Sequence, residues 1–341
     1  MPRPGLHILG GPSDERLGRE RLMSYIQDQT SADFPDMSAE VSNSQFHTGR
    51  LPNGAKSAQI NRLVQEQPID QLSSFMDFQI AELPGHVNYF TPDFNQANIF
   101  AEIGAVIWVI DAQDQYLDAL NQLIDTITYL AQTWPAINVE VFVHKVDGLS
   151  EEYKNDTFRD IRQRILDELS DLGYDNAPVS FYQTSIYDHS VFESISKVIQ
   201  KLLPQLPTLE SLLNSLCSTC RIQKAYLFDI ITKIYIASDT SPQDTNSYEI
   251  CSDFIDVVVD IGELYGWARP QQGEKTEFNN HACESMVTME KKGQNYLYLR
   301  EMNRYLALVC IMGDDNPMEK KVLIDYNVGV FQEALAKVFG W

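Results

Sequence analysis

The chain is short of positive charge. Its 341 residues carry 26 Lys and Arg against 48 Asp and Glu, a formal net charge of −22. Binding a phosphate backbone needs clustered Lys and Arg, and no basic stripe runs through the sequence, so no nucleic-acid partner is expected. The same deficit argues against adsorption to an anionic membrane surface. Long apolar runs are missing as well. The longest, Tyr305 to Met312, falls far short of the roughly 20 residues of a spanning helix. No direct membrane insertion is therefore expected, and the opening MPRPGLHILGG lacks the apolar stretch of a secretory signal. Cysteine is scarce. Five scattered residues, an odd number, fit a reducing compartment better than a disulfide framework. The expectation is a cytoplasmic protein that reaches any membrane only through a partner.

What is present suffices for a folded chain: 44% hydrophobic and 22% charged residues, ordinary values for a globular protein. The length predicts two domains of roughly 150 residues each. Residues 1–70 are rich in polar and turn residues (Gly10, Gly11, Pro12, Ser13; Ser38, Ser42, Asn43, Ser44; Pro52, Asn53, Gly54). They predict a loosely ordered segment, with a short helix at most over Arg16 to Gln27. From Phe75 strands and helices alternate. Phe78–Ala81, Ala105–Ile110, Val139–Val143 and Val179–Gln183 read as strands. Leu117–Ala131, the stretch from Ser150 to Gly173, and Val191–Leu202 read as amphipathic helices. Ser150 is the expected N-cap of the second of these, with Glu151 and Glu152 in its positive first turn. Repeated β-α units predict an α/β fold with a mainly parallel sheet and flanking helices. Ligands bind such sheets beyond the carboxyl ends of the strands. Pro204 and Pro207 mark the expected boundary. Beyond them come a helix (Leu209 to Leu216), two close strands (Ala225–Ile230, Ile234–Ala237), a long helix (Ser247–Tyr265), two strands (Tyr296–Arg300, Tyr305–Ile311) and a last helix. That order predicts an α+β domain on an antiparallel sheet.

Three segments stand where strands should end: Glu82-Leu83-Pro84-Gly85-His86, His144-Lys145-Val146-Asp147 and Thr184-Ser185-Ile186. Asp147 can accept two hydrogen bonds from the N1–H and exocyclic amine of guanine. Adenine offers no such pair and would leave the carboxylate unpaired, a loss of roughly 1–3 kcal/mol. Lys145 can lay its aliphatic stem along base and ribose, His144 can give a ring hydrogen bond, and backbone N–H groups at Ser185 and Ile186 can meet the guanine O6. Taken alone, a His-Lys-x-Asp string is more often a simple turn between strand and helix.

The order and spacing of the three segments resemble the switch II, guanine-specificity and Ser-Ala-Lys-like segments of small GTPases. The phrases VIDAQDQYLDAL, VEVFVHKVDGLSEE, SFYQTSIYDHSVFESISKVIQKLLPQLPTLE and YLFDIITKIYIASD resemble the Rag GTPases of the C/D type, including their fungal Gtr counterparts, from about Phe75 to the C-terminus. The resemblance implies a small-GTPase-like domain over 71–206, a roadblock-like dimerisation domain over 207–341, and a divergent segment over 1–70. It implies GTP/GDP and Mg²⁺ as cofactors. Glu82 would reach the metal through water, Gly85 would sense the γ-phosphate, and His86 would take the place of the residue that orients the attacking water. An imidazole cannot donate to and accept from one water as an amide does, so slow intrinsic hydrolysis is expected.

The resemblance further implies a heterodimer with a Rag A/B-type GTPase joined through the C-terminal domains. It also implies signalling of amino-acid sufficiency to the target-of-rapamycin complex from the vacuole or lysosome. A vacuolar or lysosomal scaffold complex, not a lipid, would hold the protein there, since no prenylation or myristoylation signal is present; a nuclear fraction is left open.

A phosphate-binding loop of the form Gly-x-x-x-x-Gly-Lys-Ser/Thr has no match. The nearest string, Gly49-Arg50-Leu51-Pro52-Asn53-Gly54-Ala55-Lys56-Ser57, carries one residue too many between Gly54 and Lys56 and follows no apolar strand. Residues 1–60 read either as a degenerate form of the family's start or as a truncated or mis-assembled one. An alternative function stays open: a nucleotide-free pseudo-GTPase scaffold acting only through its dimer interface. Two lesser motifs read structurally. Cys217-Ser218-Thr219-Cys220 has zinc-like spacing without a second ligand pair, and Asp188-His189 predicts a cap for the helix at Ser190.

Overall fold

Two kinds of sheet organise the chain. The computed structural model describes residues 5–10, 70–73, 77–82, 90, 100, 103–230, 232–242, 245–264, 284–290, 294–303, 305–313 and 320–340. They divide into two compact units, Met1–Ser190 and Val191–Trp341.

The first unit holds strands β1 (Gly5–Gly10), β2 (Asp70–Ser73), β3 (Asp77–Glu82), β4 (Ile103–Asp111), β5 (Asn138–His144) and β6 (Val179–Thr184). Their order in the sheet is β2-β3-β1-β4-β5-β6. The β2–β3 pair is antiparallel and every other pair is parallel. β1 lies between β3 and β4, where the strand order reverses, which is where open α/β sheets bind ligands. β4 is apolar on both faces up to Asp111, as a covered parallel sheet requires, whereas β5 is apolar on one face (Val139, Val141, Val143) and carries the buried Glu140 and His144 on the other. On one face Val106, Trp108, Ile110, Val139, Val141 and Val143 pack with helices α1 (Leu117–Thr133) and α2 (Glu151–Asp171) in one core. α1 contributes Leu120, Leu123, Ile127 and Leu130, and α2 contributes Ile161, Ile165 and Leu169, at helical spacing.

The second unit begins with α3 (Ser190–Leu202) past its first residue and continues through α4 (Leu206–Cys220), β7 (Ile222–Asp229), β8 (Tyr235–Ser238), α5 (Thr245–Leu264), β9 (Glu284–Glu290), β10 (Gln294–Glu301), β11 (Leu306–Met312) and α6 (Lys321–Phe339). Its sheet runs β8-β7-β11-β10-β9, antiparallel throughout. β11 is the central strand and is buried along its whole length.

The expected fold class is the observed one: a mainly parallel α/β sheet with flanking helices, then an α+β unit on an antiparallel sheet. Particular expectations differ. Gly5–Gly10, expected to be loosely ordered, is a central strand. Its short apolar run (Leu6, Ile8, Leu9) carries little signal of its own, and pairing on both sides supplies what propensity does not. The rest of 1–69 lies outside the described residues. β9 was not expected. Ser150 occupies the N-cap of α2, but its side chain makes no capping hydrogen bond. Leu172 is the C-cap of α2 and is exposed. Pro207 does not stop α3; it sits in the first turn of α4, where its missing N–H costs nothing. The two-unit division and the Pro204–Pro207 boundary differ by one helix, α3, whose Ser196 Oγ accepts from Tyr235 N at 3.1 Å and whose Gln200 Nε2 donates to Tyr235 O at 3.2 Å.

Candidate functional site: three strand ends in register

Parallel pairing brings the site together. Asp111 of β4 pairs with His144 of β5, and His144 pairs with Thr184 of β6. Three neighbouring strands thus end level, and the residues just past them share one rim. His144-Lys145-Val146-Asp147 and Thr184-Ser185-Ile186, separate in sequence, become neighbours for this reason.

Asp147 lies in a short 3₁₀ turn, Val146–Gly148, with its side chain exposed. Ser185 Oγ donates to Asp147 Oδ1 at 2.6 Å. Ser185 is itself fully buried and accepts at Oγ from Tyr187 N at 3.0 Å. The hydroxyl therefore fixes Oδ1 of an exposed carboxylate, and no hydrogen bond holds Oδ2 among the described residues. Ser185 N donates to Ser190 Oγ at 2.9 Å, so this amide, expected to meet a guanine O6, is committed inward. Of the three consecutive amides at 185–187, Ile186 N–H is the one without a hydrogen bond among the described residues. Asp188 Oδ1 accepts from Ser190 N at 2.9 Å and from the Ser190 hydroxyl, which is the capping role expected of it.

His144 is 2% exposed. Its Nδ1 lies 3.0 Å from Thr184 Oγ1 and ties β5 to β6 at their ends. Burial, and then the neighbouring Lys145 charge, holds its pKa down to about 4, so the ring is neutral near pH 7 and serves as a hydrogen-bonding spacer. Lys145 adopts a left-handed backbone (φ 61°), a conformation costing about 1–2 kcal/mol for a side-chain-bearing residue. Its carbonyl accepts from Gln113 Nε2 at 2.7 Å and, more loosely, from Gly148 N at 3.4 Å. Its ammonium pairs with Asp111 Oδ2.

The remaining expected residues fall elsewhere. Glu82 is the last residue of β3, and nothing is described of its side chain. Gly85, His86 and the string Gly49–Ser57 lie outside the described residues. The rim also includes residues to which the sequence reading assigned no role at the site: Asp111, Gln113 and Gly148. Asp111 was visible as the polar residue ending an apolar run, but its partner lay 34 positions away. Cys217 and Cys220 are free, half-buried thiols on α4. Burial pushes Cys217 up to about 12 and Cys220 upward, and no group of three His, Cys, Asp or Glu able to hold a metal occurs among the described residues.

The fold and the rim define a class: a G-protein-like α/β unit whose segments 144–147 and 184–186 meet at level strand ends, followed by an α+β unit on an antiparallel sheet. A family model described as the Gtr1/RagA G protein conserved region matches residues 51–255. The chain is 53% identical over 270 residues to GTP-binding protein gtr2 of Schizosaccharomyces pombe, covering 79% of this chain and 85% of that one. It is 49% identical over 267 residues to Ras-related GTP-binding protein C of Homo sapiens, covering 78% of this chain and 65% of that one. It is 40% identical over 277 residues to GTP-binding protein GTR2 of Saccharomyces cerevisiae, covering 80% and 81%. This chain belongs to the Gtr/Rag family of G proteins, in its C/D-type branch.

Proposed function

We propose that the chain is the C/D-type guanine-nucleotide-binding subunit of a heterodimeric Rag GTPase. In this reading Asp147 pairs with the guanine N1–H and exocyclic amine, Ile186 N–H meets O6, and the Lys145 stem covers the base. His144 and Ser185 hold these groups in place from below. The observation that carries the reading is the Ser185 hydroxyl on Asp147 Oδ1 at 2.6 Å: an exposed carboxylate braced from a second strand end is what discrimination between purines requires. Family membership supports GTPase-type chemistry. For the phosphates and Mg²⁺ we propose Gly85 and Glu82, with His86 beside the attacking water and slow turnover as the result.

The proposed domain plan is a nucleotide-binding region over 71–206 and a dimerisation region over 207–341. The second unit offers a surface suited to pairing. Ile250, Val257, Ile261 and Leu264 are exposed along one face of α5, and Val287 is exposed on β9. β9 pairs only with β10 among the described residues, at the sheet edge. An apolar helical stripe and an edge strand with one free side in the same unit suit a partner of the same kind, here a Rag A/B-type subunit. Loops ordered by nucleotide would be read by the target-of-rapamycin complex, with a scaffold complex at the vacuole or lysosome holding the dimer. No helix among the described residues is long and apolar enough to cross a membrane, which suits attachment through partners.

The test is nucleotide identity. Chromatography of nucleotide released from the purified full chain is expected to yield GDP or GTP. Asp147→Asn is expected to lower GDP affinity at least ~100-fold and to accept xanthosine diphosphate, whose O2 can take a hydrogen bond from the new amide. The unmatched phosphate loop favours a second reading, a nucleotide-free scaffold; a chain that releases no nucleotide and binds none added would establish it.

A further inference from the structure

Two residues that no part of the proposed base pocket requires are tied to it by several contacts. Residues 111–113, at the end of β4 and just past it, reach the 144–148 segment at three points. Asp111 Oδ2 holds the Lys145 ammonium. Asp111 Oδ1 accepts from Gln113 N at 2.9 Å, which turns the Gln113 side chain across the loop. Gln113 Nε2 then donates to Lys145 O at 2.7 Å. Ala112 N donates to His144 O at 2.9 Å, extending the parallel ladder one step beyond the strands. The loop is shaped to receive this arm: a Cβ on Gly148 would lie 2.1 Å from Gln113 Nε2. A side chain at 148 would displace the end of the flexible Gln113 side chain and with it the hydrogen bond to Lys145 O.

We infer that Asp111 and Gln113 are positioning residues for the guanine pocket, which hold Lys145 in its left-handed turn with its stem drawn across the rim and so set the lifetime of the bound nucleotide. The inference rests on the proposed reading of the pocket. Its physical content is preorganisation. Lys145 has a flexible stem and a backbone conformation that side-chain-bearing residues rarely adopt. Without Asp111 the ammonium swings free, and without Gln113 the carbonyl that closes the turn loses its shorter hydrogen bond. Neither residue touches the base, so neither should choose between bases. Both should act on how long any base stays.

The experiment measures dissociation of a fluorescent GDP from the full chain, with xanthosine diphosphate on an Asp147→Asn background as a parallel arm. Gln113→Ala and Asp111→Asn are each expected to speed release about 5–10-fold, for guanine on the native chain and for xanthine on the Asp147→Asn chain alike. Gly148→Ala should match Gln113→Ala and add nothing when the two are combined, since each removes the same hydrogen bond. Asp111→Glu, which keeps the charge, should restore slow release. Acylation of Lys145 by an amine reagent, read by mass spectrometry, should rise several-fold in Asp111→Asn. A merely structural role would give additive losses and no rescue. If guanine and xanthine exchange preference as expected but release and acylation are unchanged in the Asp111 and Gln113 variants, the positioning role is overturned and the pocket stands. A native chain that binds neither nucleotide overturns both.

Discussion

The two units handle polar groups in opposite ways. At the rim of the first, polar side chains form a chain left partly open: Asp111 to Lys145, Thr184 to His144, Ser190 to Ser185 to Asp147, with the last carboxylate exposed. In the second, buried polar groups close on themselves. Lys224 is 5% exposed; its ammonium donates to Asp239 O at 3.2 Å and Ser241 O at 2.9 Å and lies 3.4 Å from Asp239 Oδ1. Burial raises the Asp239 carboxyl, but hydrogen bonds from Ala225 and Ser241 and the Lys224 charge outweigh it and hold the pKa below its usual value. The second unit also leaves apolar residues exposed, Ile250, Val257, Ile261 and Leu264 on α5 and Val322, Leu323, Tyr326 and Val330 on α6. Parallel strands that end level expose a rim on which polar groups can converge. An antiparallel sheet returns on itself, so its buried polar groups serve as staples.

The sharpest break of this comparison is aimed at the stripe. Val257→Asp with Ile261→Asp should reduce affinity for the partner subunit at least ~100-fold, because each carboxylate would be buried without a counter-charge. Both residues are about half exposed in the single chain, so the fold should survive. Guanine affinity should change less than about twofold. Co-elution with the partner on gel filtration, beside a nucleotide titration, reads both. Loss of nucleotide without loss of pairing would reverse the division of labour between the units.

The staple comes next. Lys224→Ala leaves Asp239 buried and unpaired and should cost the second unit about 3–5 kcal/mol in chemical unfolding. Neutralising both partners, Lys224→Met with Asp239→Asn, should cost less, since no charge is stranded and the new amide oxygen can still accept from Ala225 N. A nucleotide-release rate unmoved by either variant keeps the units' roles apart.

A pH experiment sharpens the rim. His144 is held neutral, with a folded pKa of about 4 against about 6.5 unfolded. Between these values the unfolded chain binds the proton and the folded chain does not, so this residue's contribution falls as pH drops from about 6.5 toward 4 and is intact above. His144→Asn removes it. At pH 5 the native chain should have lost about 2 kcal/mol more than the variant, relative to pH 7. Denaturation midpoints at the two pH values measure the difference. Equal losses in the two chains would mean that the ring is protonated at no cost and does not brace the strand ends.

Much of this was legible from residue order. The apolar runs of β4 and β5 and the helical spacing in α1 and α2 are strong local signals, and strands of known direction place 144–147 and 184–186 on one rim. What was not legible depends on contacts distant in sequence. β1 has six residues bounded by glycines, and its place comes from pairing with β3 and β4. β9 (ESMVTME) mixes charged, hydroxyl and apolar residues without a clean alternation. Asp111 and Gln113 acquire their roles from Lys145, and Gly148 acquires its role from Gln113. The Ser150 expectation failed for the converse reason: the residue type suits a cap and the backbone is at the cap position, but the hydroxyl is not turned to the amides. At Ser190 the hydroxyl is used, but on the Ser185 amide and Asp188 rather than on the amides of the helix.

Ser190 yields the smallest effect and the finest comparison. Its hydroxyl accepts the Ser185 amide at 2.9 Å and donates to Asp188, while its own amide is held by Asp188 Oδ1 at 2.9 Å. Ser190→Ala removes the first two contacts and leaves the third. The stability cost should be about 1 kcal/mol, the ordinary value of a cap or a single buried hydrogen bond. The freed Ser185 amide then has no acceptor, and the peptide can turn toward the rim, where Ile186 N–H should be the sole donor to a guanine O6. Such a turn would pull the Ser185 hydroxyl from Asp147, so release of GDP should quicken by a few-fold while affinity for the partner subunit stays level. Ser190→Thr keeps the hydroxyl and should restore the native rate. If Ser190→Ala lowers stability as expected but leaves release unchanged, the brace on Asp147 does not extend past Ser185, and the open end of the polar chain is shorter than the hydrogen bonds suggest.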